Sequence, residues 1–274
     1  MLELLGYGFM RRALLASLLG GAGCGLVGVW VLMLGIPFVG VAMAHAAFAG
    51  ALFGLLVGIN PLLSGFTACV LSAMLIGPVA DRGDFGPNLS TGIIFSVVLG
   101  LAFLFMGMME GPKAEAMRYL WGSILTVSQA DILLLASTFT AILLFLFLFY
   151  KEILAVLYDR KTARAAGIPD RIVFYLILFL SGTTVALNLN TVGGILIFSL
   201  IISPPAAAAQ LTRSLRSLHI LSALFGALSC LLGLFISYYL NLPSGAVIII
   251  VSGLLFAVCL AFSPKRRESA YAGT

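Results

Sequence analysis

The stretch from Ala13 to Ala80 contains no Lys, Arg, Asp or Glu. A helix needs about 20 mostly apolar residues to cross the hydrocarbon layer of a membrane, so this stretch is long enough for three spans. The remaining chain has a similar character, because hydrophobic residues make up 62% of the protein and charged residues only 9%. A soluble domain has roughly 25% charged residues. These features predict an all-α polytopic membrane protein.

Hydropathy divides the chain into about nine candidate spans. They are Ala13–Leu34, Phe38–Gly58, Leu62–Val79, Thr91–Met109, Ile132–Tyr150, Ile172–Leu189, Val192–Leu211, Leu218–Leu240 and Ser244–Phe262. The count could be eight or ten, because Val192–Leu211 contains Pro204 and Pro205 and is open to interpretation as a short or broken helix.

The distribution of basic residues predicts the orientation, since Lys and Arg are concentrated in cytoplasmic loops. With nine spans and the C-terminus inside, eleven of the 15 basic residues are cytoplasmic. The four left outside are Arg11, Arg12, Lys113 and Arg118. The reverse orientation inverts this ratio, so we expect the N-terminus outside and the C-terminus inside. The net charge of +5 does not indicate nucleic-acid binding, because the basic residues cluster in loops.

The segment Lys151–Arg171, here called the charged segment, interrupts this apolar sequence. It carries 8 of the 25 formal charges, with predicted spans on both sides. A segment this polar is costly in lipid, so it must lie at one side of the bilayer. Asp159 is positioned to cap a helix that begins near Arg160, and Gly167 to end it. The segment is therefore either a docking element for a soluble partner or an ordinary solvated loop.

Several classes of function lack their residues here. There is no GxxxxGK[ST] loop for nucleotide hydrolysis, and no carboxylate falls inside a predicted span. The four cysteines lie in predicted spans without a CxxC pair and are expected to be buried. Gly50, Gly54 and Gly58 recur at every fourth position, and Gly21 and Gly25 share that spacing, which favours close helix approach. The chain is not expected to be an enzyme.

Four stretches, in order and spacing, resemble one family. YDRKTARAAGIP in the charged segment is similar to the cytoplasmic coupling segment of the ABC-transporter permeases that take up zinc, manganese or iron. YGFMRRALLASLLGG resembles the entry to the first span of those permeases, and YLWGSILTVSQADI resembles their extracellular loop. TVGGILIFSLIISPPAAAAQLT followed by YYLNLPSGAVIII resembles their last three spans. The resemblance covers nearly the whole chain.

The resemblance implies a type II ABC importer permease in a bacterial inner membrane, with residues 1–274 as one domain. It implies a second permease copy, two cytoplasmic ATP-binding subunits and an extracytoplasmic metal-binding protein as partners. The ATP would be bound by the partner ATPase. This chain would bind no cofactor and would handle only the transported metal ion. Asp159, Arg160, Arg164 and Gly167 become the candidate residues for coupling to the ATPase.

The same resemblance singles out His45. Those permeases carry an acidic residue and a histidine one turn apart in a GDxxxHA-like stretch, and here the matching stretch is GVAMAHAAFAG, Gly40 to Gly50. His45 matches the histidine, but Val41 stands in place of the acid. Imidazole is a common ligand of these metals, and an ionisable residue inside a membrane is a functional candidate. The alternative is a histidine packed against a backbone carbonyl.

The missing acid leaves three explanations open. Other groups could replace it, such as the Met43 thioether, Ser and Thr hydroxyls or carbonyls near Pro204. A dimer could bring two His45 side chains together. The cargo could instead be a metal chelate or another small solute carried by the same architecture. Pro204 and Pro205 are themselves candidates for a hinge or gate, with a structural kink as the alternative reading.

Overall fold

A computed structural model describes residues 7–82, 87–110, 127–189 and 193–263, with six single residues between them, namely Ala116, Met117, Tyr119, Gly122, Ile124 and Thr191. These residues form helices and contain no strand. The helices are α1 (Gly8–Met33), α2 (Phe38–Val57), α3 (Pro61–Arg82), α4 (Pro87–Met108), α5 (Gln129–Leu148), α6 (Tyr150–Tyr158), α7 (Arg160–Ala165), α8 (Asp170–Asn188), α9 (Gly194–Leu211), α10 (Leu215–Leu240) and α11 (Ser244–Ala261).

Eight helices in the described part of the chain are long and apolar enough to cross a membrane. They are α1 to α5, α8, α10 and α11, and they coincide with eight of the nine predicted spans. The ninth prediction, Val192–Leu211, corresponds to α9, which contains Pro204 and Pro205 and includes a shorter apolar stretch, Ile197–Leu211. The multi-span helical architecture is confirmed, and the short helix anticipated around the proline pair is present.

Glycines let α1 and α2 approach their neighbours closely. A Cβ at Gly21 or Gly25 would collide with backbone carbonyls of α10, which runs antiparallel to α1. A Cβ at Gly50 would lie 2.5 Å from the Ser64 carbonyl oxygen of α3. Gly58 was expected on the same packing face, and that expectation is wrong. Its φ of 76° is left-handed and it ends α2, a conformation that glycine adopts without steric cost.

Helix directions place most of the charged groups of the described residues on one face of the molecule. The rings of Trp30 and Phe145 are 5.7 Å apart, so the C-terminal ends of α1 and α5 lie together. The Arg216 guanidinium lies 5.4 Å from the Tyr150 ring centroid, and the Ser263 hydroxyl donates to the Gln210 carbonyl at 3.1 Å.

The charged segment, the start of α10 and the end of α11 therefore share this face, here called the basic face. The start of α1 lies at the opposite face. This grouping agrees with the predicted topology, in which the N-terminus lies outside and the C-terminus inside. Lys113, Arg118 and Lys265 to Arg267, which also entered that prediction, lie outside the described residues.

The end of α8 and the start of α9 lie inside the helical layer. Asn188, the last residue of α8, contacts Gly20 near the middle of α1. A Cβ at Gly194, the first residue of α9, would lie 3.7 Å from the Ala44 carbonyl of α2. Both helices reach the basic face at their other ends, since α8 begins at Asp170 and α9 ends at Leu211. The two helices thus meet at depth, in the neighbourhood of α2.

Candidate transport site and charged segment

His45 lies on α2 and faces α4. Its Nδ1–H donates to the Val41 carbonyl at 3.0 Å, the residue one turn earlier on the same helix. Its ring meets the Phe95 ring edge to face, with centroids 5.1 Å apart and planes at 90°. The side chain is half-buried. His45 is thus held in one orientation by a carbonyl on its own helix and by one aromatic ring of α4.

The hydrogen bond to Val41 fixes the tautomer of His45. A carbonyl only accepts, so Nδ1 carries a proton, and in the neutral ring Nε2 carries the lone pair. No described residue forms a hydrogen bond with Nε2. Histidines that bind metals generally donate their other ring N–H to a carbonyl or carboxylate in this way. His45 is therefore able to offer one neutral imidazole ligand.

The described part of a single chain supplies no complete set of metal ligands around His45. No three His, Cys, Asp or Glu side chains come together within it. Val41, at the position of the expected acid, contributes a carbonyl to the histidine and an isopropyl group to the helix surface. A metal site at His45 would need further oxygen or nitrogen ligands besides the His, Cys, Asp and Glu side chains of the described part of one chain.

Met43 and the proline pair are not brought to His45. Met43 is fully buried in the main core. It is two residues before His45 on α2, a rotation of about 200° around the helix axis, so the two side chains leave the helix on nearly opposite sides. Pro204 and Pro205 are buried in α9, where Pro205 approaches Gly28 of α1, whereas His45 faces α4. The proposed roles of these three residues stay predictions.

The proline pair changes the hydrogen bonding of α9. Pro205 has no N–H, so the Ile201 carbonyl lacks its usual helical donor. That carbonyl points at Gly28 of α1, where a Cβ would collide with it. The absence of a side chain at Gly28 lets α1 approach this carbonyl closely. The backbone geometry fits a hinge and a structural kink equally.

Polar groups line the connection between α8 and α9. The Asn188 side-chain amide donates to the Thr184 carbonyl at 2.8 Å, and the Thr191 hydroxyl donates to the Asn188 carbonyl at 3.1 Å. Both side chains are about 1% exposed. Gly193 follows with a φ of 95°. Non-helical backbone at membrane depth is tolerated where protein buries it, and these contacts provide that burial.

Asp159 caps α7, as predicted from the sequence. Its carboxylate accepts hydrogen bonds from the backbone N–H of Lys161 at 3.0 Å and of Thr162 at 3.3 Å. The Thr162 hydroxyl also donates to it. The bond from this hydroxyl, followed by the bond from Lys161 N–H, lowers the pKa of the Asp159 carboxyl. The cap is fully formed in the ionised state.

Gly167 ends α7, also as predicted. Its φ is 81°. The Ile168 N–H donates to the Ala163 carbonyl and the Gly167 N–H to the Arg164 carbonyl, each at 3.0 Å. These two bonds form a Schellman motif, which requires a left-handed residue at the position of Gly167. The turn reverses the chain so that α7 comes back to the start of α8.

A buried ion pair fastens α7 to α8. Arg164 binds both carboxylate oxygens of Asp170, at 2.8 and 2.9 Å. Arg160 approaches the same carboxylate at 3.3 Å, and its guanidinium carbon lies 4.0 Å from the centroid of the Phe174 ring. The Asp170 side chain is only 4% exposed. We call these four residues the clamp.

The clamp leaves the outer surface of the charged segment open. Tyr158 is 67% exposed, and Lys161, Thr162 and Arg171 are also exposed. On the inner side, Val156, Leu157 and Ala163 are buried. The charged segment is thus a fixed helical platform, with one apolar side packed on the protein and one polar side facing outward.

Sequence reasoning missed several of these contacts. Asp170 was counted as a charge of the charged segment but given no role, although its spacing of six residues from Arg164 across a Gly-Ile-Pro turn was a usable signal. His219, the second residue of the predicted span Leu218–Leu240, is only 3% exposed and accepts a hydrogen bond from the Trp30 indole N–H at 3.1 Å. No sequence signal pairs Trp30 with His219, or His45 with Phe95.

Comparison with known proteins agrees with this architecture. The family model described as the ABC 3 transport family matches residues 6–263. The "Manganese transport system membrane protein MntC" of Halalkalibacterium halodurans is 31% identical over 264 residues, covering 96% of this chain and 90% of that protein. A "Probable iron transport system membrane protein" of Haemophilus influenzae is 30% identical, covering 97% and 94%. The structure titled "PsaBC from Streptococcus pneumoniae in complex with Fab" aligns with a TM-score of 0.85 at 28% identity, covering 97% and 95%.

Proposed function

Since this chain belongs to the ABC 3 transport family, we propose that it is the membrane-spanning permease of an ATP-driven importer for a divalent transition metal, with manganese the first candidate. The observation that carries the proposal is the match over nearly the whole chain to the ABC 3 transport family and to bacterial proteins described as a manganese transport system membrane protein and a manganese import system permease protein. A relative described with iron keeps that metal as a second candidate. Zinc remains the third.

The charged segment is the proposed contact with a cytoplasmic ATPase, which would bind and hydrolyse the ATP. Its outer surface presents Tyr158, Lys161 and Arg171 to solvent, while the clamp ties its inner side to α8. A soluble subunit that binds this surface would be mechanically connected to the membrane layer. In this assignment the basic face is cytoplasmic, and an extracytoplasmic protein delivers the metal to the opposite face.

His45 is the proposed ligand or gate on the transport path, with ligands completed by a second copy of the chain. A groove of about 760 Å³ opens between α2, α3 and α4 and is lined mainly by apolar side chains such as Phe53, Leu71 and Val97. His45 does not line it, but Ala46, the next residue of α2, does. A second copy packed along this side could bring two His45 rings together. In such a site the carbonyl and hydroxyl oxygens would suit manganese, and the two neutral imidazoles would suit iron or zinc.

Import of a metal chelate by the same architecture is the second candidate. The observation that favours it is Val41, which removes the carboxylate expected one turn from His45. A dication loses electrostatic attraction without that acid, whereas a chelate of lower charge needs it less.

The test is uptake of radioactive manganese by the permease, its ATPase and its extracytoplasmic metal-binding protein reconstituted together in vesicles. We expect wild-type uptake to depend on ATP, and His45→Ala to abolish it while insertion and ATPase binding stay normal. Ser96→Ala, an exposed position beside Phe95 on α4, is the matched control and should transport normally. Absence of uptake of manganese, iron and zinc by the wild type would refute the metal-importer proposal. Equal uptake by His45→Ala and Ser96→Ala would refute only the role of His45.

Val41→Asp distinguishes the two cargo candidates. It restores a carboxylate one turn from His45 on the same side of α2. If the missing acid sets the cargo, the variant should transport bare manganese better relative to its citrate chelate. An unchanged ratio of the two uptake rates would count against the chelate candidate.

A further inference from the structure

A cleft of about 570 Å³ opens on the outer surface where α5, α6 and α10 meet at the basic face. Its polar end is formed by Tyr150 and Arg216 and its apolar end by Leu143, Phe147 and Ile220, with His219 at the back. None of these residues belongs to the charged segment's exposed surface or to the surroundings of His45. The cleft is therefore separate from the proposed transport and docking functions.

The polar end of the cleft carries an unpaired cation. The Arg216 guanidinium lies over the Tyr150 ring at 5.4 Å and is exposed. The ion pairs among the described residues involve Arg160 and Arg164 with Asp170, so Arg216 has no carboxylate partner there. The ring orients the guanidinium and leaves its N–H donors available for an anion, the geometry in which Arg binds phosphate.

The apolar end of the cleft lies deeper in the membrane layer. From Tyr150 back to Leu143 is seven residues, or about 10 Å along a helix. Phe147 is 84% exposed and Ile220 is 62% exposed, so the cleft opens sideways to the surroundings of α5 and α10. The back wall adds no charge, because both ring nitrogens of His219 are already hydrogen-bonded, to the Leu215 carbonyl and to the Trp30 indole.

We propose that this cleft binds an anionic phospholipid of the leaflet at the basic face. The phosphate binds Arg216, and the first part of one acyl chain lies along Phe147, Leu143 and Ile220. The cleft joins a cationic rim to a lipid-exposed apolar wall about 10 Å deep, which matches an amphiphilic anion. A soluble anion would leave the apolar wall unused, and a water-soluble protein would not reach Leu143 within the layer.

Native mass spectrometry of the purified permease, without ATPase, tests the proposal. Phosphatidylglycerol and phosphatidylcholine with the same acyl chains are titrated separately, and the dissociation constant of the first bound lipid is measured. We expect wild-type protein to prefer phosphatidylglycerol by about fivefold, the effect of one basic residue near a membrane surface. Arg216→Gln should lose this preference, while Arg216→Lys should keep it.

Arg171→Gln is the matched control, because Arg171 is an exposed arginine on the same face that does not line the cleft. The preference should survive in this variant, and equal losses in Arg171→Gln and Arg216→Gln would overturn the proposal. Displacement of phosphatidylglycerol by millimolar inorganic phosphate or glycerol 3-phosphate would assign the cleft to a soluble anion instead. Displacement by the ATPase subunit would assign it to the protein partner.

Discussion

The clamp predicts a large local effect from a conservative substitution at Asp170. Asp170→Asn keeps the shape of the side chain but removes the charge that Arg164 and Arg160 bind. The α7 helix has six residues, and isolated helices this short are unstable in water. Its attachment to α8 therefore depends on the clamp and on the burial of residues such as Ala163.

The magnitude follows from burial of the clamp. Losing one partner of a fully buried ion pair costs about 3–5 kcal/mol, and a hydrogen bond to a charged group contributes about 1.5–3 kcal/mol. The Asp170 side chain is 4% exposed, but that of Arg164 is 56% exposed and can turn to water when released. We therefore expect Asp170→Asn to weaken the attachment of α7 by about 2 kcal/mol, within the range for a charged hydrogen bond. This free energy corresponds to a roughly 30-fold change in the equilibrium between attached and detached α7.

Hydrogen exchange of the α7 amides measures this equilibrium directly, since exchange reports local opening. In the purified permease, Asp170→Asn should raise the exchange rate of residues 160–165 by about 30-fold. Arg164→Gln should have a similar effect, and the double variant should add little because both remove the same interaction. Arg171→Gln, at the neighbouring exposed arginine, is the control. If α7 protection in Asp170→Asn stays within threefold of that control, the clamp does not hold α7 in place.

Three further outcomes are expected. Gly25→Ala should destabilise the protein by about 1–3 kcal/mol through overpacking, because the new Cβ collides with the Ser222 carbonyl. Gly92→Ala is the control, since no atom lies within 4 Å of its Cβ. The thermal unfolding temperature should fall in the first variant and stay nearly unchanged in the second. The pKa of Asp159 is lowered in the folded state, so its cap contribution is fully present above the unfolded-state pKa of about 3.9 and is lost as pH falls through the lower folded value. Protection of the α7 amides, corrected for intrinsic exchange, should then be flat from pH 6 to 8 and fall only in acid; a decline between pH 7 and 6 would contradict this. Single cysteines at Arg164 and Arg213, both exposed on the basic face, should resist an impermeant reagent added outside whole cells, and labelling of either position would reverse the orientation.

Features with a local cause were predictable from sequence. Eight spans can be recognised from their runs of apolar residues, because the free-energy cost of placing a charge in lipid depends only on the residues of the segment itself. The cap at Asp159 and the stop at Gly167 depend on backbone groups within three or four residues of each. Such features require no knowledge of which helices become neighbours.

Features that depend on tertiary neighbours were not predictable in the same way. The assignment of Gly58 to a packing face followed from spacing alone, and the left-handed end of α2 overrode it. The partner of His45, Phe95, comes from a helix about fifty residues away along the chain. The hydrogen bond between Trp30 and His219 joins residues 189 positions apart. Hydropathy gives helix α8 its length, but only the contact of Asn188 with Gly20 shows that it ends at depth.

Helix α8 and the start of α9 lie between the two parts of the candidate machinery. Helix α8 runs without interruption from Asp170 in the clamp to Asn188 at the buried connection. The next helix, α9, begins beside Ala44, the residue before His45. A continuous helix transmits displacement along its axis because each turn is fixed by backbone hydrogen bonds. If the proposed function is right, movement of α7 would reach the backbone next to His45 through the clamp and α8, so substitutions at Asp170 as well as at His45 are expected to affect transport.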